Sequence, residues 1–549
     1  MKPRNITTVS VKPFEGQRPG TSGLRKKTRE FMQPGYLEAF VQSVFNALRG
    51  SVAGDFSQST LVVGGDGRYY NREAIRKILS IAVGNEFGRV LVARGGLLST
   101  PAMSAVIRRR KAFGGLILSA SHNPGGIDAD FGIKYNIQNG GPAPESVTER
   151  IYLVTQRINH YYWADCTGFD LDKEGQGQYE ATTVEVFDPL ADYTGLMGEL
   201  FDFQALRKFF QTGFRMAFDA MHGVTGPYAG HILEEMLGAP KGTVVNGMPL
   251  EDFGGRHPDP NLVYAADLVQ RMHASDAPDF GAACDGDGDR NMILGRGIFV
   301  SPGDSVAVIA THAQQSVPGY RNGLSGIARS MPTSTAADRV AKSLGIPIYE
   351  TPTGWKYFGS LLDAGLCTVC GEESFGTGSN HIREKDGFWA VMCWISILCG
   401  ARKSVAQLMD EHWSRFGRSY FQRHDYEGLP QDAAASMLAE VDERLASLSG
   451  GTFGDIRISN ADDFTYTDPV DHSITPRAGI RILLEDGSRV VFRLSGTGTE
   501  GATLRVYLER FSKDYKQDTA QMIAPLARSI RDFLKVKERF GRDEPNLIT

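Results

Sequence analysis

Short apolar runs alternate with helix-like segments along most of this chain. Leu61-Val62-Val63, Leu116-Ile117-Leu118, Met216-Ala217-Phe218, Ala282-Ala283-Cys284 and Ile327-Ala328 are too short for helices, and each leads into a polar turn or a serine. Helical spacing then follows some of them, as in Ile232, Leu233, Met236 and Leu237, or around Asp338 to Ala341. Buried strands alternating with helices predict α/β layering. Beyond His412-Trp413-Ser414-Arg415-Phe416-Gly417 the pattern changes. Arg481 to Leu484 and Val490-Val491-Phe492 flank Asp486-Gly487, a hairpin signal, and Met522, Leu526, Ile530 and Phe533 mark a closing helix. This predicts a C-terminal α+β domain. No repeat is visible in the sequence itself, although recurring strand–turn–helix units allow related domains.

The turns hold the unusual residues. After Leu116-Ile117-Leu118 come Ser119, Ser121, His122 and a Pro124-Gly125-Gly126 turn that cannot continue a strand. Ligands of α/β folds bind at the carboxyl ends of strands, so a serine here is placed either for chemistry or in a plain loop. Asp285-Gly286-Asp287-Gly288-Asp289-Arg290 alternates three carboxylates with glycines and can curl around one hard cation. It is not an EF-hand, which needs glycine and glutamate where Arg290 and Arg296 stand. Three carboxylates with room for a phosphate oxygen suit Mg²⁺.

Gly371-Glu372-Glu373-Ser374-Phe375-Gly376 mixes acceptors with a hydroxyl, as a grip on sugar hydroxyls needs, and Lys385 follows as a candidate phosphate ligand. Gly496 to Gly501 spells GxGxxG, but Ala502 to Glu509 after it alternates like a strand, which makes a dinucleotide site a weak reading. Arg493, Ser495, Thr497 and Arg505 instead line a loop fitted to a phosphate monoester. Pro19 to Lys27 is a further glycine–hydroxyl–cation loop containing Arg25, and Lys134 is able to reach back toward Ser121. Cys367-Thr368-Val369-Cys370 has no second pair and reads as buried strand cysteines, while His222 and His257 read as turn residues.

Composition narrows the class. The 549 residues carry a net charge of −5 and 22% charged residues, which disfavours a general nucleic-acid surface. The Arg108-Arg109-Arg110-Lys111 cluster is expected to close a helix that Thr100 caps and Pro101 begins. The first twenty residues lack the apolar core of a secretory signal. The longest apolar run, Phe388 to Ala401, is short for a membrane span and predicts a buried helix. Six cysteines in so long a chain fit a reducing compartment, so a cytoplasmic location is expected. A nucleophile, a cation loop, a sugar loop and a phosphate loop, spread along the chain, suggest a cleft between domains and phosphoryl transfer on a sugar phosphate.

The segments SASHNPGG, DGDGDRNMILG, TPTGWKYFG, GEESFGTGSNHIREKDG and RLSGTGTEGATLR occur in this order. With them the chain resembles the phosphoglucomutases of the α-D-phosphohexomutase superfamily, from about Pro19 to the C-terminus, and GEESFG matches the glucose-specific type. The resemblance implies three related α/β domains with mixed sheets and a C-terminal α+β domain like the TATA-box-binding protein, arranged around a central cleft. Expected bounds are 1–195 for the phosphoserine loop, 196–301 for the metal loop, 302–417 for the sugar loop and 418–549 for the phosphate loop.

The resemblance further implies that Ser121 is the phosphoserine, with Ser119 where relatives usually carry threonine. Asp285, Asp287 and Asp289 match Mg²⁺ ligands, completed by the Ser121 phosphate, and Arg290 matches an arginine at the reacting phosphate. His122, Lys134 and Arg25 match residues around the serine, Lys134 being the candidate for proton transfer. Thr353, Gly354, Glu372 and Ser374 match sugar contacts. Lys385 matches a cation for substrate binding or proton transfer, and Arg493, Ser495, Thr497 and Arg505 match the grip on the non-transferring phosphate. Glu500 is an unexpected acid in that loop. The implied reaction interconverts glucose 1-phosphate and glucose 6-phosphate through glucose 1,6-bisphosphate, with hexose phosphates as the partners, no membrane span, and a monomer or dimer as the acting unit. Alternatives are a non-catalytic relative with a binding role, a Mg²⁺-dependent sugar phosphatase and a bisphosphate synthase.

Overall fold

Three sheets repeat one arrangement of four strands. The computed structural model describes residues 5–549 apart from 21, 52–54, 167, 454–455 and 496–500. In the first sheet, Thr60–Gly65 lies between parallel strands Arg89–Leu97 and Gly114–Leu118, and the latter pairs antiparallel with Asp130–Ile137. In the second, Met216–Asp219 lies between Val244–Val245 and Phe280–Cys284, and the latter pairs with antiparallel Asn291–Gly295. In the third, Ile327–Ser330 lies between Ile348–Thr351 and Val369–Gly371, followed by antiparallel Thr377–Ser379. Further strands extend the first sheet to seven and the second to five. The three expected α/β units with mixed sheets are therefore present.

The apolar run from Phe388 forms the helix Gly387–Ala401, buried from Gly387 to Leu398, with Trp389 and Trp394 fully enclosed. It sits in one core cluster with the helices Thr100–Arg109 and Pro302–Ser316, so the first three units share a hydrophobic centre. Among the described residues no single helix is long and apolar enough to cross a membrane. The cap of Thr100–Arg109 differs from the expectation. Ser99, not Thr100, is the N-cap, its hydroxyl accepting from the Ala102 N–H. Thr100 is the first helical residue, and its hydroxyl turns to Asp287. The segment carrying Ile232 and Leu233 is a short helix, Thr225–Ala229, continued by a π-helical turn, Gly230–Met236.

The last domain has a seven-stranded sheet, antiparallel throughout, with the helices Gln431–Leu448 and Thr519–Leu534. The predicted hairpin is Ile480–Leu484 with Arg489–Ser495, and Arg489–Ser495 pairs in turn with Ala502–Ser512. Strand alternation divides their residues cleanly. Val490, Phe492, Leu504, Val506 and Leu508 enter the domain's own core, whereas the odd-numbered positions face the third unit and the cleft.

Rows of paired residues cross that second face. Arg489 stands opposite Glu509, Val491 opposite Tyr507, and Arg493 opposite Arg505. The first row anchors the domain. Arg489 is ion-paired to Glu509 at 2.7 Å and donates to the Met331 carbonyl at 2.7 Å and to the Thr333 carbonyl. Glu509 accepts from the Thr335 N–H at 2.9 Å, capping the helix Ala336–Leu344 across the domain boundary, and from the Ser419 hydroxyl at 2.6 Å. The second row is apolar, Val491 and Tyr507 packing on Met331.

Burial would raise the Glu509 carboxyl, but Arg489 and Arg339 outweigh it and hold it down at about 2, against an ordinary 4.5. A depressed acid stabilises the fold fully above pH 4.5 and loses that stabilisation as pH falls toward 2. Glu509→Gln should cost about 2 kcal/mol at pH 7, because buried Arg489 loses its closer counter-charge and keeps only Glu350, at 3.4 Å. Thermal unfolding of both proteins from pH 7 down to 3 should show the gap narrow below pH 4.5; a gap independent of pH would contradict the assignment.

Candidate active site

The strand Gly114–Leu118 ends in a turn that places Ser121 at φ 53°, a left-handed conformation costly for a residue with a Cβ. Three contacts hold it. The Ser121 N–H donates to the Ser119 hydroxyl at 2.7 Å, and Arg68 donates to the Ser121 carbonyl at 2.9 Å and to the Asp130 carbonyl at 2.8 Å. Arg68 is paired with Asp66, both side chains wholly buried, and lies over the Phe253 ring. On the other side, a Cβ on Gly286 would meet the Ser121 carbonyl oxygen at 2.9 Å, so only glycine lets the acidic loop approach this closely.

That approach brings the Ser121 hydroxyl 2.9 Å from the Asp285 carboxylate, to which it donates, and 3.3 Å from His122 Nδ1. Ser119 and Thr100 hydroxyls donate to Asp287 at 3.0 and 2.8 Å, and the Arg290 N–H donates to Asp285 at 3.0 Å. Asp285, Asp287 and Asp289 bring one oxygen each within 4.8 Å of one another, all buried. One oxygen of Asp287 and one of Asp289 are buried with no hydrogen-bond partner. Orphaned carboxylate oxygens in a cluster of like charge fit a divalent cation, and the three aspartates are the residues that would hold it.

The other loops face the same space. Glu372 accepts from the Gly354 N–H at 3.1 Å and from the Ser374 hydroxyl at 3.4 Å. Lys385 pairs with Asp289 at 2.9 Å, and Lys134 pairs with Glu384 at 2.6 Å, which also accepts from Asn136 at 2.8 Å. Arg493 and Arg505 complete the rim from the last domain. The cavity between them is about 330 Å³, and its walls include Arg25, Ser121, His122, Lys134, Asp287, Asp289, Arg290, Thr353, Gly354, Glu372, Ser374, Lys385, Arg493 and Arg505. Asp285 lies directly behind Ser121. Ser495 ends the strand Arg489–Ser495, while Thr497 and Glu500 lie outside the described residues.

Charge is graded across this cavity. Burial, then Asp287 and Asp289, push the Asp285 carboxyl well above its ordinary value. Desolvation works against the Lys385 ammonium, but Asp289 outweighs it and raises its pKa. Burial raises Glu372 and Glu384, with Lys385 and Lys134 respectively pulling them back. Desolvation, together with Arg290 and Arg25, holds His122 well below the ordinary histidine range, so its ring is neutral, and with the Ser121 proton committed to Asp285 the Nδ1–H tautomer donates to the Ser121 oxygen.

Sequence reasoning missed four residues of this site. Asp66 and Arg68 fall in the Gly64-Gly65-Asp66-Gly67-Arg68 turn, noted as a turn and nothing more. Thr100 looked like a helix cap, and Glu384 sits one residue before Lys385. The conjunction of an aspartate and an arginine in a glycine turn at a strand's end was the available signal for the first pair. Cys367 and Cys370 are buried free thiols, but only Cys370 lies in the strand Val369–Gly371, and Cys367 precedes it.

A serine held against an acid triad, facing carboxylate and cation loops across one cleft, defines an enzyme that moves a phosphoryl group on a polyhydroxylated substrate. The comparisons agree. Residues 16–162, 191–297 and 302–416 match the models for phosphoglucomutase/phosphomannomutase α/β/α domains I, II and III, and 418–546 match the phosphoglucomutase-1 C-terminal domain. The chain is 55% identical to a phosphoglucomutase of Rhizobium radiobacter over 99% of its own length and 100% of the relative's. It is 50% identical to a cytoplasmic phosphoglucomutase of Populus tremula, with 99% of each covered. The structure of the exocytosis-sensitive phosphoprotein pp63/parafusin, a phosphoglucomutase from Paramecium in an open form, superposes with a TM-score of 0.92 at 46% identity, covering 100% of this chain and 99% of that one. The chain belongs to the phosphoglucomutase/phosphomannomutase family.

Arg68→Met removes the brace from the Ser121 carbonyl without touching the cavity. It should lower kcat about 100-fold, the cost of a misplacement near 1 Å, while leaving KM within about threefold. Steady-state kinetics decide this, and an unchanged kcat would show that the serine turn holds without Arg68.

Proposed function

We propose that this protein interconverts glucose 1-phosphate and glucose 6-phosphate, with Ser121 as the phosphoryl carrier and Mg²⁺ at the three aspartates. The observation that carries this reading is the Ser121 hydroxyl 2.9 Å from Asp285, on a cavity whose other walls hold Glu372, Ser374, Arg493 and Arg505. A non-catalytic relative would have no need of that approach.

In the first half-reaction the phosphoryl group leaves Ser121 Oγ as its phosphorus bonds to O6 of glucose 1-phosphate. The O6 proton is lost, and Ser121 regains a proton. Glucose 1,6-bisphosphate then turns over within the cleft, and the phosphoryl on O1 returns to Ser121, releasing glucose 6-phosphate. Mg²⁺, when bound, supplies positive charge to the phosphoryl oxygens. Lys134, with Glu384 behind it, is positioned to exchange the proton, and neutral His122 orients the Ser121 hydroxyl. Arg290 and Lys385 offset the charge of the transferring group. Arg25 adds a further cation on that side. Glu372 and Ser374, with Thr353 and Gly354, present acceptors and donors to the sugar hydroxyls. Arg493 and Arg505, with Ser495 and Thr497 of the same loop, hold whichever phosphate is not being transferred. The remaining parts of this reading are a location in the cytoplasm, as in the relatives so named, and a monomer or dimer as the acting unit.

Peptide mass spectrometry over residues 111–134 tests the carrier. Phosphate on Ser121 should disappear with glucose 1-phosphate and Mg²⁺ and return with glucose 1,6-bisphosphate. A Ser121 that stays bare in folded protein would end the mutase reading. For the metal, Mg²⁺ at about 100 times its dissociation constant should raise the unfolding temperature by the equivalent of about 2.7 kcal/mol, and Asp287→Asn should abolish most of that rise.

A further inference from the structure

The third row of the last domain's sheet contains one more charged residue than the phosphate grip uses. Arg493 stands directly opposite Arg505, and Arg505 stands directly opposite Asp425 on the strand Arg418–Leu429. Two guanidiniums in adjacent register repel one another, and a carboxylate at the far side of the pair relieves this. Asp425 Oδ2 is 3.9 Å from Arg505 Nε, while Asp425 Oδ1 is 2.9 Å from Arg423 Nε. The Asp425 side chain is 3% exposed and that of Arg505 37% exposed, so the acid lies behind the arginine and the arginine faces the cleft. Arg505 Nε is buried without a hydrogen-bond partner. A donor left in this state is held near an anion and committed to none.

Taking Arg493 and Arg505 as the phosphate grip, as proposed above, we infer that Asp425 is a positioning residue that competes with the substrate's phosphate for Arg505. The reason lies in the reaction. A phosphate held by two arginines alone would bind tightly and leave slowly. The intermediate must release one phosphate from the rim, turn, and offer the other. An internal carboxylate within reach of Arg505 weakens the holding state and gives the arginine a partner while the rim is empty, so release does not leave two like charges unopposed. Arg423, 2.9 Å from Oδ1, holds the Asp425 carboxyl in place; burial raises that carboxyl above its ordinary value, and Arg423, then Arg505, pull it back.

The test is steady-state kinetics with glucose 1-phosphate at saturating Mg²⁺ and glucose 1,6-bisphosphate. Asp425→Asn keeps the shape and removes the competitor. KM should fall about 3- to 10-fold and kcat should fall with it, because release slows. Asp425→Glu pushes the carboxylate toward Arg505 and should raise KM by several-fold, so the inference survives if the first variant fails to fold and can still be overturned by the second. Arg505→Gln is the control on the underlying reading and should raise KM at least 10-fold. If Arg505→Gln leaves KM unchanged, the grip itself is misassigned. If it raises KM while Asp425→Asn leaves KM the same or higher, or Asp425→Glu lowers it, the grip stands and the role given to Asp425 is wrong.

Discussion

Asp285, Asp287 and Asp289 concentrate three carboxylates within 4.8 Å in a buried loop, and the surrounding chain is arranged to answer that charge. Uncompensated, such a cluster would protonate or push the loop open. The compensation comes from each of the first three units: Ser119, Thr100 and Ser121 hydroxyls from the first, the Arg290 N–H from the acid loop itself, and the Lys385 ammonium from the third. These contacts dock the domains as well as neutralise the loop, so the charge that serves a cation also sets the distance between the serine and the acids. Two oxygens are still left without partners, and these point to a bound metal.

The repeated sheets explain how three unlike loops reach one point. The serine turn follows Gly114–Leu118, the acid loop follows Phe280–Cys284 and the sugar loop follows Val369–Gly371. In each unit this is the same strand, parallel to its neighbour on one side and antiparallel on the other. The carboxyl end of such a strand is where an α/β sheet exposes loop backbone to a ligand. One architectural position therefore carries a serine, three aspartates able to hold a cation and a glutamate–serine loop, with the identity of the loop deciding the chemistry.

Much of this was legible in the sequence because the loops combine rare residue types over a few positions. Alternating aspartate and glycine has one physical use, and a short apolar run ending at a serine marks both a strand and its terminus. The repeat itself was not legible, since it lies in strand order and not in residue identity. Nor was the support beneath the serine. Asp66 and Arg68 act through a carbonyl more than fifty positions away, as the separation of 53 between Arg68 and Ser121 shows, and no local pattern encodes that. Thr100 failed as a reading for a related reason: threonine before proline at a helix start is a sound cap signal, and only the tertiary position of Asp287, 187 residues on, gives its hydroxyl a different use.

The last domain contributes charge of a different quality from the rest. Lys134, 14% exposed, and Lys385, 15%, lie deep beside buried acids, whereas Arg505 is 37% exposed at the rim. Coulomb attraction falls about fourfold between an effective dielectric near 20 and that of bulk water near 80. On the function proposed above, the floor of the cleft would act strongly on a phosphoryl group in transfer, and the rim more weakly on a phosphate that has only to be held. A site built the other way round would stabilise the bound ends of the sugar more than the transition state, which adds affinity without rate. Anchoring the domain by the Arg489–Glu509 row at one end of its sheet, and leaving the Arg493–Arg505 row open at the other, sets that order. The fixed ion pair faces protein, and the arginine pair faces the open cleft.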